Sequence, residues 1–303
     1  MDQDIAPLII GATGGSGTRV VARLARHAGY DLGRHLNDAD DALAFHTFHD
    51  RWINRFISAQ GRSATGSIRP GLSLPVLAGG DRGKHIPLSQ KEAAQMAADF
   101  RAAVDQHIAR SAAKKGMRWG WKAPRSIYLL PFLYAQYPGL KFIHVLRDGR
   151  DMAFSKNQNQ LRKHGPKVLS WRERWFNAEP VRSILLWARV NIGAAEFGET
   201  RFPEAYLAVR FEDLCTKPIE TTARIMRFLG HDLDAAPIAR AEIAPPRSMG
   251  RWRKQPRAVV SKLEQAAQTA LWKFGYLDCG ASSENRRLLP AKDRPAIKFW
   301  VLP

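Results

Sequence analysis

Apolar runs of strand length recur at residues 6–11, 117–122, 141–146 and 205–211, separated by longer stretches whose apolar positions follow helical spacing. After the first run, Val20, Val21, Leu24, Ala25 and Ala28 form one stripe, and Phe45, Phe48, Trp52 and Phe56 form another. Ser89-Gln-Lys-Glu92 is a capping box and predicts a helix whose inward face is Ala93, Met96, Ala97, Phe100, Val104 and Ile108. Ser261-Lys-Leu-Glu264 carries the same signature ahead of a helix ending near Gly275. Glu179-Pro180, with proline at the first helical position, opens a segment running to about Gly198. Apolar strands alternating with helices predict an α/β fold with a central, mostly parallel sheet covered by helices on both faces.

The length of 303 residues suits one domain spanning 1–303, with 278–303 as a C-terminal extension. Residues 61–88, rich in glycine and proline without any period, read as an insertion or a lid. A hydrophobic content of 45% excludes a mainly disordered chain. Cys215 and Cys279 make neither a disulfide framework nor a metal-ligand spacing, which points to a reducing, cytoplasmic setting. The acidic start lacks the basic region of a secretory signal. The most apolar stretch, 126–140, holds Pro131 and Pro138 and is shorter than the ~20 residues needed to span a bilayer.

Charge changes the picture. Lys and Arg number 47 against 28 Asp plus Glu, a formal net charge of +19, so an anionic partner is expected. The basic residues are spread along the chain and no nucleic-acid module is present, which argues against a nucleic-acid-binding protein. Gly11-Ala-Thr-Gly14-Gly15-Ser16-Gly17-Thr18-Arg19 is the first place for an anion: glycines let backbone N–H groups converge, and the helix that follows adds its own free N–H groups and dipole. An ATP or GTP loop needs lysine after the last glycine, where this chain has Thr18, which argues against a nucleotide kinase. The second place is Arg147, directly after the 141–146 run, where an ATPase would put a magnesium-binding aspartate. Arginine presents a fixed fork to phosphate oxygens, and Ser155 lies eight residues on, about two turns into the next helix. Read blandly, Arg147–Asp148 and Arg150–Asp151 would be surface ion pairs.

Together these residues resemble the sulfotransferase superfamily, which uses 3′-phosphoadenosine 5′-phosphosulfate as donor, and bacterial-type members nearer the carbohydrate and protein sulfotransferases than the cytosolic small-molecule ones. The resemblance runs from about residue 6 to 277. It includes Ala208-Val-Arg-Phe-Glu-Asp-Leu214, the helix ending in Ile225-Met-Arg-Phe-Leu-Gly230, and Ser248-Met-Gly-Arg251-Trp252-Arg253-Lys254. It implies a P-loop-like three-layer sandwich. It also implies that Gly14, Gly15, Ser16, Gly17, Thr18 and Arg19 grip the 5′-phosphosulfate, that Arg147 and Ser155 grip the 3′-phosphate, and that Arg251, Trp252 and Arg253 close over the nucleotide. Lys122, in Trp119-Gly-Trp-Lys122-Ala-Pro124, resembles the Lys-x-Pro block of the carbohydrate and protein members and is the candidate cation beside the transferring group. Many members carry Lys or Arg where this chain has Gly15, so positive charge must come from Arg19 or Lys122. Phe211 stands where small-molecule members often have a tyrosine.

Pro124 occupies the position of the histidine base of the cytosolic type, so that base is absent. The carbohydrate and tyrosine members take a carboxylate from the segment after the first helix. Here that segment reads His35-Leu-Asn-Asp38-Ala-Asp40-Asp41, making Asp41 and Asp38 the candidate bases and His35 a weaker one. Asp38 or Asp40 would equally suit a helix N-cap. His46-Thr-Phe-His49 places two imidazoles on one helical face without a third ligand, so no metal is expected. The expected acceptor is a small molecule or a carbohydrate bearing a hydroxyl.

Overall fold

The computed structural model describes residues 6–59, 87–111 and 117–277. Its sheet consists of β1 (Leu8–Ala12), β2 (Gly120–Lys122), β3 (Lys141–Leu146) and β4 (Tyr206–Arg210) in the order β2-β1-β3-β4. Every pairing is parallel, with Ile9 opposite both Trp121 and Phe142, and His144 opposite Ala208. α1 (Thr18–His27), α2 (His46–Ala59) and α3 (Gln90–Ala109) lie between β1 and β2, and α4 (Leu130–Gln136) precedes β3. α5 (Gly149–Ala153), α6 (Asn159–Val168), α7 (Trp171–Phe176) and α8 (Glu179–Arg201) lead to β4. Beyond it come α9 (Phe211–Thr216), α10 (Pro218–Phe228), α11 (Ala235–Glu242), α12 (Arg257–Ala266) and α13 (Gln268–Lys273).

Strand periodicity makes the three layers. Leu8, Ile10, Ile143 and Val145 point to one face and pack with Val21, Leu24 and Ile225 of α1 and α10. Ile9, Phe142 and Leu146 point to the other and pack with Phe45, Phe100 and Trp187 from the larger helical layer. Each fully buried Leu or Ile contributes about 1.5–3 kcal/mol. Among the described residues no helix is long and apolar enough to cross a membrane.

Local expectations meet the structure unevenly. The Ser89–Glu92 box caps α3, Ser89 Oγ accepting from the Glu92 N–H and Glu92 accepting from the Ser89 N–H. Ala93 is nevertheless exposed, because the buried face begins at Met96. Ser261 caps nothing: α12 starts at Arg257 behind Pro256, which places Ser261 and Glu264 inside the helix. A box that the sequence reading passed over, Ser170 with Glu173, opens α7. The proposed lid falls outside the described residues apart from Pro87 and Leu88, and so does the 278–303 extension.

One buried polar chain runs beneath the sheet. The amide nitrogen of Asn191 donates to the Trp187 carbonyl, so its oxygen accepts from His144 Nε2–H at 2.7 Å, and the Tyr206 hydroxyl donates to His144 Nδ1 at 2.5 Å. Burial holds His144 neutral, its pKa pushed down to about 4. The folded state therefore binds fewer protons than the unfolded one between pH 6.5 and about 4, and stability falls as pH drops through that window, by about 3 kcal/mol at pH 4. Thermal melts across this range should show the decline, and His144→Gln, less stable at neutral pH, should show a flatter one.

Candidate active site

The C-terminal edge of the sheet collects the chemistry. Past β1 the chain turns on Gly15 and Gly17, both left-handed at φ +79 and +80, a conformation that glycine adopts without strain. A Cβ at Gly17 would sit 2.1 Å from the Phe211 ring, so glycine is required there twice over. Ser16 pins the turn by donating to the Thr13 carbonyl at 2.5 Å. Gly17 is the N-cap of α1 and supplies no side-chain acceptor, which leaves the first N–H groups of the helix free for an anion.

Lys122 ends β2 and is 2% exposed, not the surface lysine a bland reading would make it. Its Nζ donates to Asp41 Oδ1 at 2.5 Å and to the Ala39 carbonyl. Burial pushes the Lys122 pKa below the ordinary lysine range, opposed by the Asp41 charge. The turn carrying Asp41 is tied at both ends. Leu36 bridges Ala42, Asn37 Oδ1 accepts from the N–H groups of Ala39 and Asp41, and the Ala42 N–H donates to the Lys122 carbonyl. Asp40 takes φ 62 at the apex. The next helical turn starts at Leu43 with Ala42 as an N-cap that receives no side-chain bond, so none of these aspartates is the cap.

Arg147 directly follows β3, buried at 6% exposure. Its guanidinium donates to the Gly15 carbonyl at 3.2 Å and to the carbonyl and hydroxyl of Ser248 at 2.8 and 3.1 Å, and lies 5.4 Å from the Phe211 ring centre. Its Nε is buried without a partner. Phe211 thus supports both the glycine turn and the arginine, where a tyrosine would have offered a hydroxyl.

These groups face one cavity of about 700 Å³, whose wall holds Gly14, Gly15, Ser16, Gly17, Thr18, Arg19, Asp41, Lys122 and Arg147. Other expected residues lie elsewhere. Asp38 is exposed and off the wall, and His35, also exposed, is taken by Arg110. α5 ends at Ala153, so Ser155 sits just past the helix rather than two turns into it, its hydroxyl accepting from the Asn157 N–H. Arg251, Trp252 and Arg253 form a short turn behind the wall, to which this segment contributes Ser248. The Arg147–Asp151 stretch is buried rather than superficial. Arg150 is clamped by Asp148 at 2.8 Å, Glu264 at 2.6 Å and the Trp252 ring, and Asp151 accepts from the N–H groups of Gly250 and Trp252.

The sequence reading missed the far wall: His46, His49, Asp50, Arg125 and Lys163. Arg125 and Lys163 both pair with Asp50, and their hydrogen bonds outweigh its burial and hold it down at about 2. Burial, then the nearby Arg125 charge, depresses His46 and, more strongly, His49, so both imidazoles are neutral near pH 7. The two histidines at i and i+3 were visible in the sequence, but only as an incomplete metal site. Among the described residues no group of three His, Cys, Asp or Glu could hold a metal ion.

The family model described as Sulfotransferase family matches residues 7–235. Among solved structures, the sulfotransferase domain of the Synechococcus PCC 7002 olefin synthase is similar at 17% identity, over 87% of this chain and 93% of that one, with a TM-score of 0.47. A sulfotransferase from Alicyclobacillus acidocaldarius is similar at 17% identity, over 87% of this chain and 96% of that one, with a TM-score of 0.41. Sulfotransferase STF1 of Mycobacterium tuberculosis H37Rv is similar at 16% identity, over 90% and 77%, with a TM-score of 0.41. No curated protein matches in sequence.

Proposed function

The chain belongs to the sulfotransferase family and is a sulfuryl-transferring enzyme; on that premise we propose that its donor is 3′-phosphoadenosine 5′-phosphosulfate and its acceptor a hydroxyl on a small molecule or a carbohydrate. The observation that carries this is the convergence of the glycine turn, Lys122 with Asp41, and Arg147 on one cavity. The groups present fit such a donor. The turn and the free α1 terminus suit the 5′-phosphosulfate, and a buried arginine with an unpartnered Nε suits the 3′-phosphate. Ser248, which already shares the Arg147 guanidinium, is better placed for that phosphate than Ser155.

In the proposed reaction the acceptor oxygen forms a bond to sulfur in line with the departing bridge oxygen, and the sulfur–oxygen bond electrons pass to the 5′-phosphate. Negative charge growing there is met by the loop N–H groups and the Thr18 hydroxyl, fixed before reaction and so costing little reorganisation, and by Lys122. Asp41 takes the acceptor's proton, and Arg19, exposed on the same wall, adds positive potential. As Lys122 turns toward the phosphate it loosens its hold on Asp41, which couples the two charge movements. Incubating the protein with the phosphosulfate donor and a panel of hydroxylated acceptors tests the reading. Adenosine 3′,5′-bisphosphate and a sulfated product should appear in equal amounts, and bisphosphate with no sulfated product from any acceptor would count against it.

A further inference from the structure

α7 (Trp171–Phe176) buries none of its residues. Trp171, Trp175 and Phe176 are 47%, 80% and 77% exposed, and the last two exceed every other exposed large apolar side chain among the described residues. Trp171 and Phe176 lie with ring centres 6.1 Å apart, forming a continuous aromatic surface. The helix that carries them is fixed in place. Ser170 caps it, and Glu173 faces inward, holding Arg189 at 2.5 and 2.8 Å. Glu173 is the sole acidic residue between positions 159 and 178, a stretch that also contains Arg162, Lys163, Lys167, Arg172 and Arg174. With that carboxylate engaged, Arg172 is exposed 5.4 Å from the Trp171 ring centre, and Lys167, in the last turn of α6, is exposed as well.

Indole and phenyl rings interspersed with cations, with the one carboxylate of α7 engaged by Arg189, match the boundary between lipid headgroups and acyl chains. The rings leave water while Lys and Arg stay among phosphates, each worth on the order of 1 kcal/mol near an anionic surface. The charge of the whole chain, +19, has the sign that such a surface attracts. We propose that α7, with Lys167 beside it, docks the protein on an anionic lipid surface. None of the three aromatic residues lines the active-site cavity, so docking and nucleotide binding are separable.

Sedimentation of the full chain with sucrose-loaded vesicles tests this, comparing pure phosphatidylcholine with an equal mixture of phosphatidylcholine and phosphatidylglycerol. The protein should sediment with the anionic vesicles at least roughly tenfold more strongly, with its tryptophan emission shifted to the blue. Trp175→Ser combined with Phe176→Ser should weaken this at least about tenfold, and Arg172→Gln about fivefold. Melting temperature and affinity for adenosine 3′,5′-bisphosphate should stay at parental values throughout. Three results would overturn the proposal. One is failure of the parent to sediment with anionic vesicles; another is a double variant that sediments like the parent, which would assign adsorption to other basic surfaces. A dimer on gel filtration, lost in the double variant, would assign the face to a second copy of the chain.

Discussion

Replacing Asp41 with asparagine should lower turnover roughly 10²-fold or more while leaving affinity for adenosine 3′,5′-bisphosphate nearly unchanged. Asparagine keeps the shape of the side chain and an oxygen for the 2.5 Å contact with Lys122, but it cannot take the acceptor's proton. It also removes the negative charge that supports the buried lysine's proton. Asp41 raises the Lys122 pKa against the depression caused by burial, so its loss should move the alkaline limb of the residual activity to lower pH. Lys122→Met should be at least as damaging, because the leaving phosphate loses its buried cation. The two residues act as one unit, so the double variant should fall little below the worse single one. Asp38→Asn, at an exposed position off the cavity wall, should turn over at near the parental rate. Near-parental turnover of Asp41→Asn would place the base elsewhere, and His46 on the far wall of the cavity would be the next residue to replace.

The legibility of this site follows the range of the interactions that build it. β3 was readable to its exact ends, because a run apolar on both faces is a local signal. The glycine turn was readable because only glycine tolerates the backbone at Gly15 and Gly17. Lys122 and Asp41 were each singled out, for different roles, but nothing local joins residues 81 positions apart into one ion pair. The wall formed by His46, Asp50, Arg125 and Lys163 comes from three distant segments and was invisible for the same reason. Short patterns also misled. Ser261 and Glu264 match a capping box, yet Pro256 starts the helix earlier, and Glu264 instead neutralises the buried Arg150. Packing puts Arg147, singled out by its place directly after β3, on the cavity, and Arg150, three residues on, clamped behind it.

Arg147→Ala should weaken adenosine 3′,5′-bisphosphate by roughly 2 kcal/mol or more, about 30-fold, since a charge-assisted contact to the 3′-phosphate is lost. Binding of adenosine 5′-phosphosulfate, which lacks that phosphate, should barely change. The comparison of ligands matters because Arg147 also ties the glycine turn to Ser248, so the variant should melt at a lower temperature and any general loosening would affect both ligands. Arg147→Lys, which keeps the charge but not the fork, should fall between the two. Equal losses for both ligands in calorimetry would remove Arg147 from this role.

The claim that this cavity is built for a 3′-phosphorylated adenine nucleotide is tested most directly by titrating adenosine 3′,5′-bisphosphate and ADP separately into the full chain, without added magnesium. The arrangement of Arg147, Lys122 and the glycine turn predicts that the 3′,5′-bisphosphate binds more tightly by roughly 30-fold. Equal affinities, or tighter binding of ADP, would contradict it.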